Sequence, residues 1–210
     1  MARSVLEEVV TGSGPGYLPL SVDQYHRMLE SGILRDGERV ELIDGLLVRR
    51  GGESEGMVHG ARHAMVVARL QQIDRALAGR NVHLRSQLPL TLAPASEPEP
   101  DAALICGLPQ AFADRHPGPA EVLAVIEVAD ATLGYDRVTK LALYARAGIP
   151  QYLIVNLVEG VVEVHEQPVP AEARYRERSV LRREVTVRVA LGAEGSVELP
   201  VSELLPSLRS

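Results

Sequence analysis

The sequence predicts a mixed α/β domain with one central β-sheet, and three observations support this fold class. An apolar run of strand length at 122–128 is typical of a strand that is buried on both faces. The dipeptides Asp44-Gly45 and Glu159-Gly160 each separate two strand-like segments. Helical periodicity marks 57–78 and 135–147. Strands interspersed with amphipathic helices favour a sheet that is covered by helices.

The N-terminal elements have clear local signals. Ser21 and Gln24 form a capping-box pattern, which predicts a short helix that ends near Gly32. Residues 39–43 and 46–50 flank Asp44-Gly45, a dipeptide that tolerates the two positive φ angles of a tight hairpin turn. We therefore predict a β-hairpin at 39–50.

The remaining elements follow from periodicity and from glycine and proline positions. Gly79 offers a stop for the helix 57–78, and Gly148 offers one for the helix 135–147. Pro89 indicates a bulge or a sheet edge. The expected strands are 82–87, 88–92, 122–128, 151–158, 161–167 and one or two polar strands within 174–190, followed by a short helix at 200–207.

Length and composition limit the class of protein. With 210 residues, 46% hydrophobic and 24% charged, the chain can bury one well-formed core. We expect an N-terminal arm at 1–19 and a single domain at 20–207. The net charge of −6 argues against a protein that coats nucleic acid through bulk electrostatics, but it leaves room for a local basic groove.

The compartment is predicted from cysteine usage and from the absence of long apolar runs. Cys106 is the single cysteine, so no internal disulfide can form, and we expect a core thiol in a reducing cytosol. No run approaches the roughly 20 apolar residues of a membrane span, and the N-terminus does not resemble a signal peptide. These observations predict a cytoplasmic protein.

Two acidic residues lie at the ends of predicted strands. Asp101 follows Pro100 and precedes the apolar segment 102–105, and Glu127 ends the apolar run 122–126. Two carboxylates at neighbouring strand ends can share a hard cation such as Mg²⁺. Alternatively, Asp101 is a turn residue and Glu127 a solvent-facing strand terminus.

Lys140 is predicted to lie near these acids, because its helix follows the Glu127 strand after a short loop. Asp136, Lys140 and Tyr144 recur every four residues and therefore share a helix face. A lysine beside two carboxylates can orient water or neutralise developing negative charge. The alternative is an ordinary ion pair between Asp136 and Lys140, four residues apart.

Glu41 and two histidines are weaker candidates. Glu41 is either a further acid of the site or a cross-hairpin partner of Arg39 or Arg49. His59 and His63 have the spacing of a transition-metal pair, although no third ligand lies at an obvious offset. His63 is otherwise a phosphate contact or a solvated side chain. The chain contains no nucleophile elbow, phosphate loop or dinucleotide fingerprint.

Four segments resemble one known family. They are Val-Glu-Leu-Ile-Asp-Gly at 40–45, Ser-Glu-Pro-Glu-Pro-Asp at 96–101, Val-Ile-Glu-Val-Ala-Asp at 125–130 and the long block at 135–152. Their order and spacing are similar to those of the Uma family of restriction endonucleases, from about residue 20 to 205. The block at 135–152 is the most specific of the four.

This resemblance implies a restriction-endonuclease-like core of the PD-(D/E)xK nuclease superfamily, with a central mixed sheet flanked by helices. It implies that Asp101 and Glu127 are the catalytic, metal-binding acids. Ala129 stands where the usual acid-x-Lys element has its lysine, and the family pattern supplies the lysine from the following helix, as Lys140. Many relatives carry Ser at the position of Ala129.

Two functions are compatible with these features. The first is a DNA endonuclease that depends on Mg²⁺ (or Mn²⁺), with Asp101, Glu127, Lys140 and Glu41 in its site. The second is a nuclease-like fold without turnover that serves as a binding or regulatory module. The intact acid–acid–lysine set favours the first function, whereas the acidic net charge, the 3% aromatic content and Ala129 favour the second.

Assembly and substrate contacts are further expectations. The hairpin at 151–167 and the polar strands after it leave a strand edge that invites pairing, which predicts a homodimer. Contacts to DNA would come from a local set of basic residues that flank the acids. The candidates are Arg49, Arg50, Arg62 and Arg137, together with His63, and Arg137 is the weakest because it should point away from the Lys140 face.

Overall fold

A six-stranded mixed sheet forms the centre of the computed structural model, which describes residues 16–35, 38–49, 60–92 and 94–206. Its strands are β3 (Val82–Arg85), β4 (Ala102–Cys106), β5 (Val122–Ala129), β6 (Gln151–Asn156), β7 (Val161–Val169) and β8 (Arg174–Leu181), and they are adjacent in that order. Only β5 and β6 run parallel, because a helix connects them, whereas the other neighbours are antiparallel.

In the described part of the chain, two separate hairpins and five helices accompany this sheet, besides short 3-10 turns. The hairpins are β1 (Val40–Ile43) with β2 (Leu46–Arg49), and β9 (Thr186–Ala190) with β10 (Ser196–Pro200). The helices are α1 (Val22–Glu30), α2 (Ala61–Leu70), α3 (Ile73–Ala76), the composite helix α4 (133–146) and α5 (Val201–Leu204). No helix in the described part of the chain has the length and apolarity that crossing a bilayer requires.

The sheet buries both of its faces, as the apolar run of β5 predicts. On one face, Val66 and Leu70 of α2 pack with Ile126 and with the β9–β10 hairpin. On the other face, Leu143 and Tyr144 of α4 pack with Val125, Tyr152 and Ile154. Seven of the eight residues of β5 are buried, so its polar residue Glu127 lies inside the protein.

Several local predictions are confirmed. Asp44 and Gly45 both have positive φ, 50° and 79°, and they turn the β1–β2 hairpin. The capping box of Ser21 and Gln24 is present at the start of α1. Gly148 has φ 74° and donates its N–H to Ala145, which ends α4.

Other predictions need correction. The single helix expected at 57–78 is two helices, α2 and α3, within the residues that are described from 60 onward. Residues 88–92 do not form a regular strand, and Leu92 makes an isolated bridge with Ser96. Pro89 lacks the main-chain N–H that would donate to a neighbouring strand. Cys106 is exposed at the end of β4 and is not a core thiol.

Helix α4 also differs from the regular helix that the sequence predicts. It begins as an α-helix at Leu133–Tyr135, continues as a π-helical turn at Asp136–Lys140 and ends as an α-helix at Leu141–Arg146. The main-chain N–H of Leu141 donates to the carbonyl of Asp136, five residues earlier. This wider turn contains Lys140.

Candidate active site

The two acids predicted at strand ends lie side by side. Asp101 directly precedes β4, and Ala102 pairs with Ile126, so Asp101 is next to Glu127 on β5. The main-chain N–H of Asp101 donates to Glu127 Oε2 at 3.3 Å, and the N–H of Val128 donates to Asp101 Oδ2 at 2.8 Å. Both acids are buried, at 4% and 5% exposure, so the interpretation of Glu127 as a solvent-facing strand terminus is wrong.

Lys140 reaches the same position from the π-helical turn. Its Nζ lies 2.9 Å from Glu41 Oε2 and 3.4 Å from Glu127 Oε1, and the residue is 4% exposed. The carboxylate of Asp136 accepts a hydrogen bond from Thr132 Oγ1 at 2.7 Å, whereas the ammonium group contacts Glu41 and Glu127. The structure thus joins Lys140 to two acids from distant parts of the sequence.

Glu41 belongs to the site and not to the outer surface of the hairpin. It is 2% exposed on β1, and its Oε1 accepts hydrogen bonds from the N–H of Glu99 at 2.8 Å and from Lys140 Nζ at 3.0 Å. Arg49 is exposed on β2 and pairs in register with Val40. Of the two alternatives for Glu41, the structure supports the additional acid.

Tyr144 completes the contacts of Glu127. The hydroxyl of this fully buried residue donates to Glu127 Oε1 at 2.9 Å. Tyr144 lies one turn beyond Lys140 on α4, so the helix supplies both an ammonium group and a hydroxyl to one carboxylate. Burial, followed by the nearby charge of Glu127, raises the pKa of Tyr144 well above its ordinary value, so this hydroxyl keeps its proton.

The acids of the site outnumber its cations. Burial raises the pKa of Glu127 to about 8 even though Lys140 lowers it, and Asp101, Asp136 and Glu41 raise it further. Burial likewise raises the pKa of Asp136 to about 6. Burial lowers the pKa of Lys140, but Glu127 and Glu41 outweigh this effect and raise it above its ordinary value. Lys140 is therefore charged, and the acids around it outnumber this one positive charge.

The predicted substrate contacts have mixed outcomes. His63 is buried at 7% exposure, and its Nε2 lies 3.1 Å from Asp101 Oδ2, so it is neither solvated nor remote from the acids. Arg62 donates to the carbonyl of Leu157 at 2.8 Å. Arg137 forms ion pairs with Glu159 and Glu163. His59 and Arg50 lie outside the described residues.

One sequence signal for this site is easily overlooked. Lys140 is the only lysine among the 22 basic residues of the chain, and all the others are arginine. A lysine ammonium group is compact and makes point contacts, whereas a guanidinium group is wide and planar. The single lysine marks the position at which a compact ammonium group fits between Glu41 and Glu127.

The chemistry of the donor set fits a hard divalent cation. No group of three or more His, Cys, Asp or Glu side chains among the described residues is arranged to enclose a metal ion. Mg²⁺ commonly binds through one or two carboxylates and keeps several waters, so Asp101 and Glu127 are sufficient protein side chains. Burial, with the charges of Asp101, Asp136 and Glu41 in addition, raises the pKa of Glu127, and a bound cation would favour its charged form.

Comparison with known proteins identifies the family. A solved structure described as a putative nuclease belonging to DUF820 from Anabaena variabilis superposes with a TM-score of 0.64 at 17% identity, covering 89% of this chain and 97% of that one. This likeness shows a shared fold, and it confirms the predicted mixed sheet with flanking helices. No curated protein matches the chain. The family model described as "Uma2: Putative restriction endonuclease" matches residues 22–202, and the chain therefore belongs to the Uma2 family.

Proposed function

We propose that the protein is a DNA endonuclease that depends on Mg²⁺ or Mn²⁺ and hydrolyses phosphodiester bonds. One observation carries this proposal. The only lysine of the chain is buried 3.4 Å from Glu127, and the Glu127 carboxylate accepts the main-chain N–H of Asp101. An acid pair with an adjacent fixed cation is the set that phosphodiester hydrolysis requires. Membership of the Uma2 family and the nuclease-like fold support the same reaction class.

Each side chain has a separate role in this proposal. Asp101 and Glu127 would hold the divalent cation, which when bound supplies Lewis acidity and lowers the pKa of water. Lys140 keeps a proton on Nζ and presents positive charge where negative charge develops on the phosphate oxygens. Glu41 fixes the Lys140 ammonium group, and Tyr144 orients Glu127 through its hydroxyl.

His63 and the arginines are proposed to act on the substrate side. His63 contacts Asp101 and is positioned to orient that carboxylate. Arg49 is exposed on β2, the partner strand of the one that carries Glu41, and is suited to contact a phosphate. Arg62 would contribute through the donors that Leu157 does not use. Each phosphate contact should contribute about 0.9 to the slope of log affinity against log salt.

A second candidate is a binding or regulatory module that retains the nuclease fold without turnover. The observation that favours it is the fully buried Ala129, which occupies the strand position where nucleases of the superfamily usually place lysine. In this case the acids and Lys140 would bind a metal and nucleic acid without cleaving it.

We also propose that the protein acts as a homodimer in the cytoplasm. β8 is an edge strand of the central sheet, and six of its eight residues are exposed. Two copies related by a two-fold axis would address both strands of a duplex. The exposed thiol of Cys106 is in keeping with a reducing compartment. Sedimentation equilibrium would test the dimer.

A plasmid-nicking assay tests the nuclease proposal. The native protein, Asp101→Asn and the control Asp114→Asn are compared with Mg²⁺, with Mn²⁺ and with EDTA. Asp114 is exposed in a loop, so its variant should cleave like the native protein. Asp101→Asn should lose more than about a hundredfold in rate, since even residues that only support metal ligands contribute ten- to a hundredfold.

Two results would reject turnover by this site. Equal nicking by the native protein and Asp101→Asn would indicate a contaminating nuclease. Metal-dependent DNA binding without cleavage would replace the nuclease with the binding module.

A further inference from the structure

A second polar cluster lies on the same face of the sheet as the candidate active site. At its centre is Glu163 on β7, which is fully buried. Its Oε1 accepts hydrogen bonds from Arg137 Nε at 2.9 Å and from Asn156 Nδ2 at 3.0 Å, and its Oε2 accepts one from Arg178 at 2.9 Å. Glu159 accepts a further bond from the Arg137 guanidinium group at 2.7 Å.

The two clusters are aligned across the sheet. Glu127 of β5 is paired with Ile154 of β6, and Ile154 is paired with Glu163 of β7. The two carboxylates therefore occupy one cross-strand row, two strand spacings or roughly 10 Å apart. The π-helical turn spans this row, because Arg137 contacts Glu163 and Lys140 contacts Glu127.

The β6–β7 hairpin also contacts the main chain of the same turn. The hydroxyl of the buried Tyr152 donates to the carbonyl of Asp136 at 3.1 Å. This carbonyl already accepts the N–H of Leu141, the hydrogen bond that defines the π-helical turn. The hairpin thus contacts two consecutive residues, Asp136 through the main chain and Arg137 through the side chain.

A π-helical turn is rare because its geometry is less favourable than that of an α-helix, so it depends on contacts from outside the helix. We propose that Glu163, acting through Arg137, is a positioning residue that fixes this turn and thereby holds Lys140 at Glu41 and Glu127. The consequence for catalysis rests on the proposed nuclease function. The consequence for the position of Lys140 does not.

This assignment gives Arg137 a different role from a DNA contact. Its guanidinium group is already hydrogen bonded to Glu163 and Glu159. Arg178 provides a matched control, since it contacts Oε2 of the same Glu163 carboxylate but belongs to the edge strand β8 and not to the helix. Removal of Arg137 should loosen the turn, whereas removal of Arg178 should not.

The single lysine allows a direct test that is independent of cleavage. Acetylation by an N-hydroxysuccinimide ester can modify only Lys140 and the α-amino group, and peptide mass spectrometry separates the two. Lys140 is 4% exposed, so its acetylation requires local opening. In the variants Arg137→Gln and Glu163→Gln, Lys140 should be acetylated about tenfold faster than in the native protein. In Arg178→Gln it should be acetylated at the native rate.

Tyr152→Phe is the second, milder variant, because it removes one hydroxyl and keeps the ring. In this variant Lys140 should also be acetylated faster than in the native protein, by about three- to fivefold, while the circular dichroism spectrum stays native. This variant keeps the test decisive if Glu163→Gln fails to fold. Native acetylation rates in both Arg137→Gln and Tyr152→Phe, or equal acceleration in Arg178→Gln, would overturn the proposal.

Cleavage kinetics then separate positioning from substrate binding. Arg137→Gln and Glu163→Gln should each lower kcat about tenfold with KM within about twofold, and the double variant should lose no more than either single one. An Arg137 that contacts DNA would instead raise KM and flatten the salt dependence, while Glu163→Gln left both unchanged. If the native protein does not cleave, the nuclease proposal fails, and the acetylation rates still decide the positioning.

Discussion

Glu127 and Glu163 are two buried carboxylates in one row of one sheet, separated by Ile154, and their surroundings are opposite. Glu163 accepts hydrogen bonds from Arg137, Arg178 and Asn156. Glu127 accepts hydrogen bonds from the Tyr144 hydroxyl and the main-chain N–H of Asp101. The ammonium group of Lys140 contacts both Glu127 and Glu41.

The pKa values of the two carboxyl groups move in opposite directions. Burial raises the pKa of both. At Glu163 the hydrogen bonds from Arg137, Arg178 and Asn156 outweigh burial, and the pKa falls below its ordinary value. At Glu127 burial outweighs Lys140, and the pKa rises to about 8. Both carboxylates are largely excluded from solvent, yet they have opposite charge preferences, because Glu127 lies deeper among protein atoms and Glu163 is paired with partly exposed guanidinium groups.

Under the proposed function, this difference separates a carboxylate that stabilises the fold from one that would hold a divalent cation. The charge of Glu163 is compensated by guanidinium groups that the chain itself supplies. The charge of Glu127 is compensated only in part, and the remaining deficit is what a divalent ion would fill. Sites that bind or react commonly keep such unfavourable arrangements at a cost in stability.

The largest effect on this comparison is expected from Lys140→Met. The substitution removes the ammonium group between Glu41 and Glu127, both of which are buried. Loss of one partner from a buried ion pair costs roughly 3–5 kcal/mol. We expect the free energy of unfolding, measured with urea at pH 7 without metal, to fall by about that amount, and cleavage to be lost.

Arg75→Gln is the control for this experiment, since Arg75 is an exposed basic residue on α3. Its free energy of unfolding should change by less than about 0.5 kcal/mol. A stable Lys140→Met variant at neutral pH would contradict the ion pairs of the site.

The next largest effect is a change in the free energy of unfolding that has opposite signs in Glu163→Gln and Glu127→Gln. Folding lowers the pKa of Glu163, so its charge stabilises the protein above the ordinary pKa of glutamate, and its removal should cost about 2 kcal/mol at pH 8. Folding raises the pKa of Glu127, so its charge increasingly destabilises the protein as the pH rises toward 8. Glu127→Gln should therefore stabilise the metal-free protein, by about 1 kcal/mol or more at pH 8.

Urea unfolding of both variants and the native protein, with EDTA and then with Mg²⁺, measures this difference. Mg²⁺ should stabilise the native protein and leave Glu127→Gln nearly unaffected, because only a folded site with its carboxylates binds the ion. Two losses of equal size would show that the two carboxylates are equivalent and would remove the basis of the comparison.

The sequence predicts the surroundings of Glu127 better than those of Glu163. The Uma2 family, the mixed sheet with flanking helices and the tight turn at Asp44-Gly45 are all confirmed, because they depend on motif order and short-range geometry. The sequence predicts that Asp101 and Glu127 lie close together on neighbouring strands, and the structure places them side by side. The local pattern alone leaves two interpretations of Glu41, an acid of the site or a cross-hairpin partner, because its position depends on contacts between residues far apart in the chain.

The Glu163 cluster was not predicted for two physical reasons. A π-helical turn adds one residue within a helix of otherwise regular periodicity, so the pattern at 135–147 does not reveal it. The contact between Arg137 and Glu163 joins a helix to a strand 26 residues later, and neither residue is unusual by itself. The lone lysine is the sequence signal that lies within this turn, whereas the periodicity and Gly148 predict only the helix as a whole.

An effect smaller than the opposite shifts of Glu163→Gln and Glu127→Gln taken together is expected at His165, which lies beside the Glu163 cluster and against the rings of Tyr152 and Tyr175. Burial lowers its pKa to about 4, although Glu163 raises it, and Arg178 and Arg137 lower it further. The unfolded chain therefore binds a proton near pH 6.5 that the folded chain does not. The stability that neutral His165 provides is complete above pH 6.5 and is lost as the pH falls toward 4.

His165→Phe keeps the aromatic packing and removes this titration. Its free energy of unfolding should fall less steeply than that of the native protein between pH 7 and pH 5, by on the order of 2 kcal/mol. Other carboxylates titrate alike in both proteins, so the difference between the two pH profiles isolates His165. Parallel profiles would show that His165 gains a proton in the folded state near its ordinary pKa. The guanidinium groups around Glu163 would then be too well screened to distinguish this cluster from the acidic one.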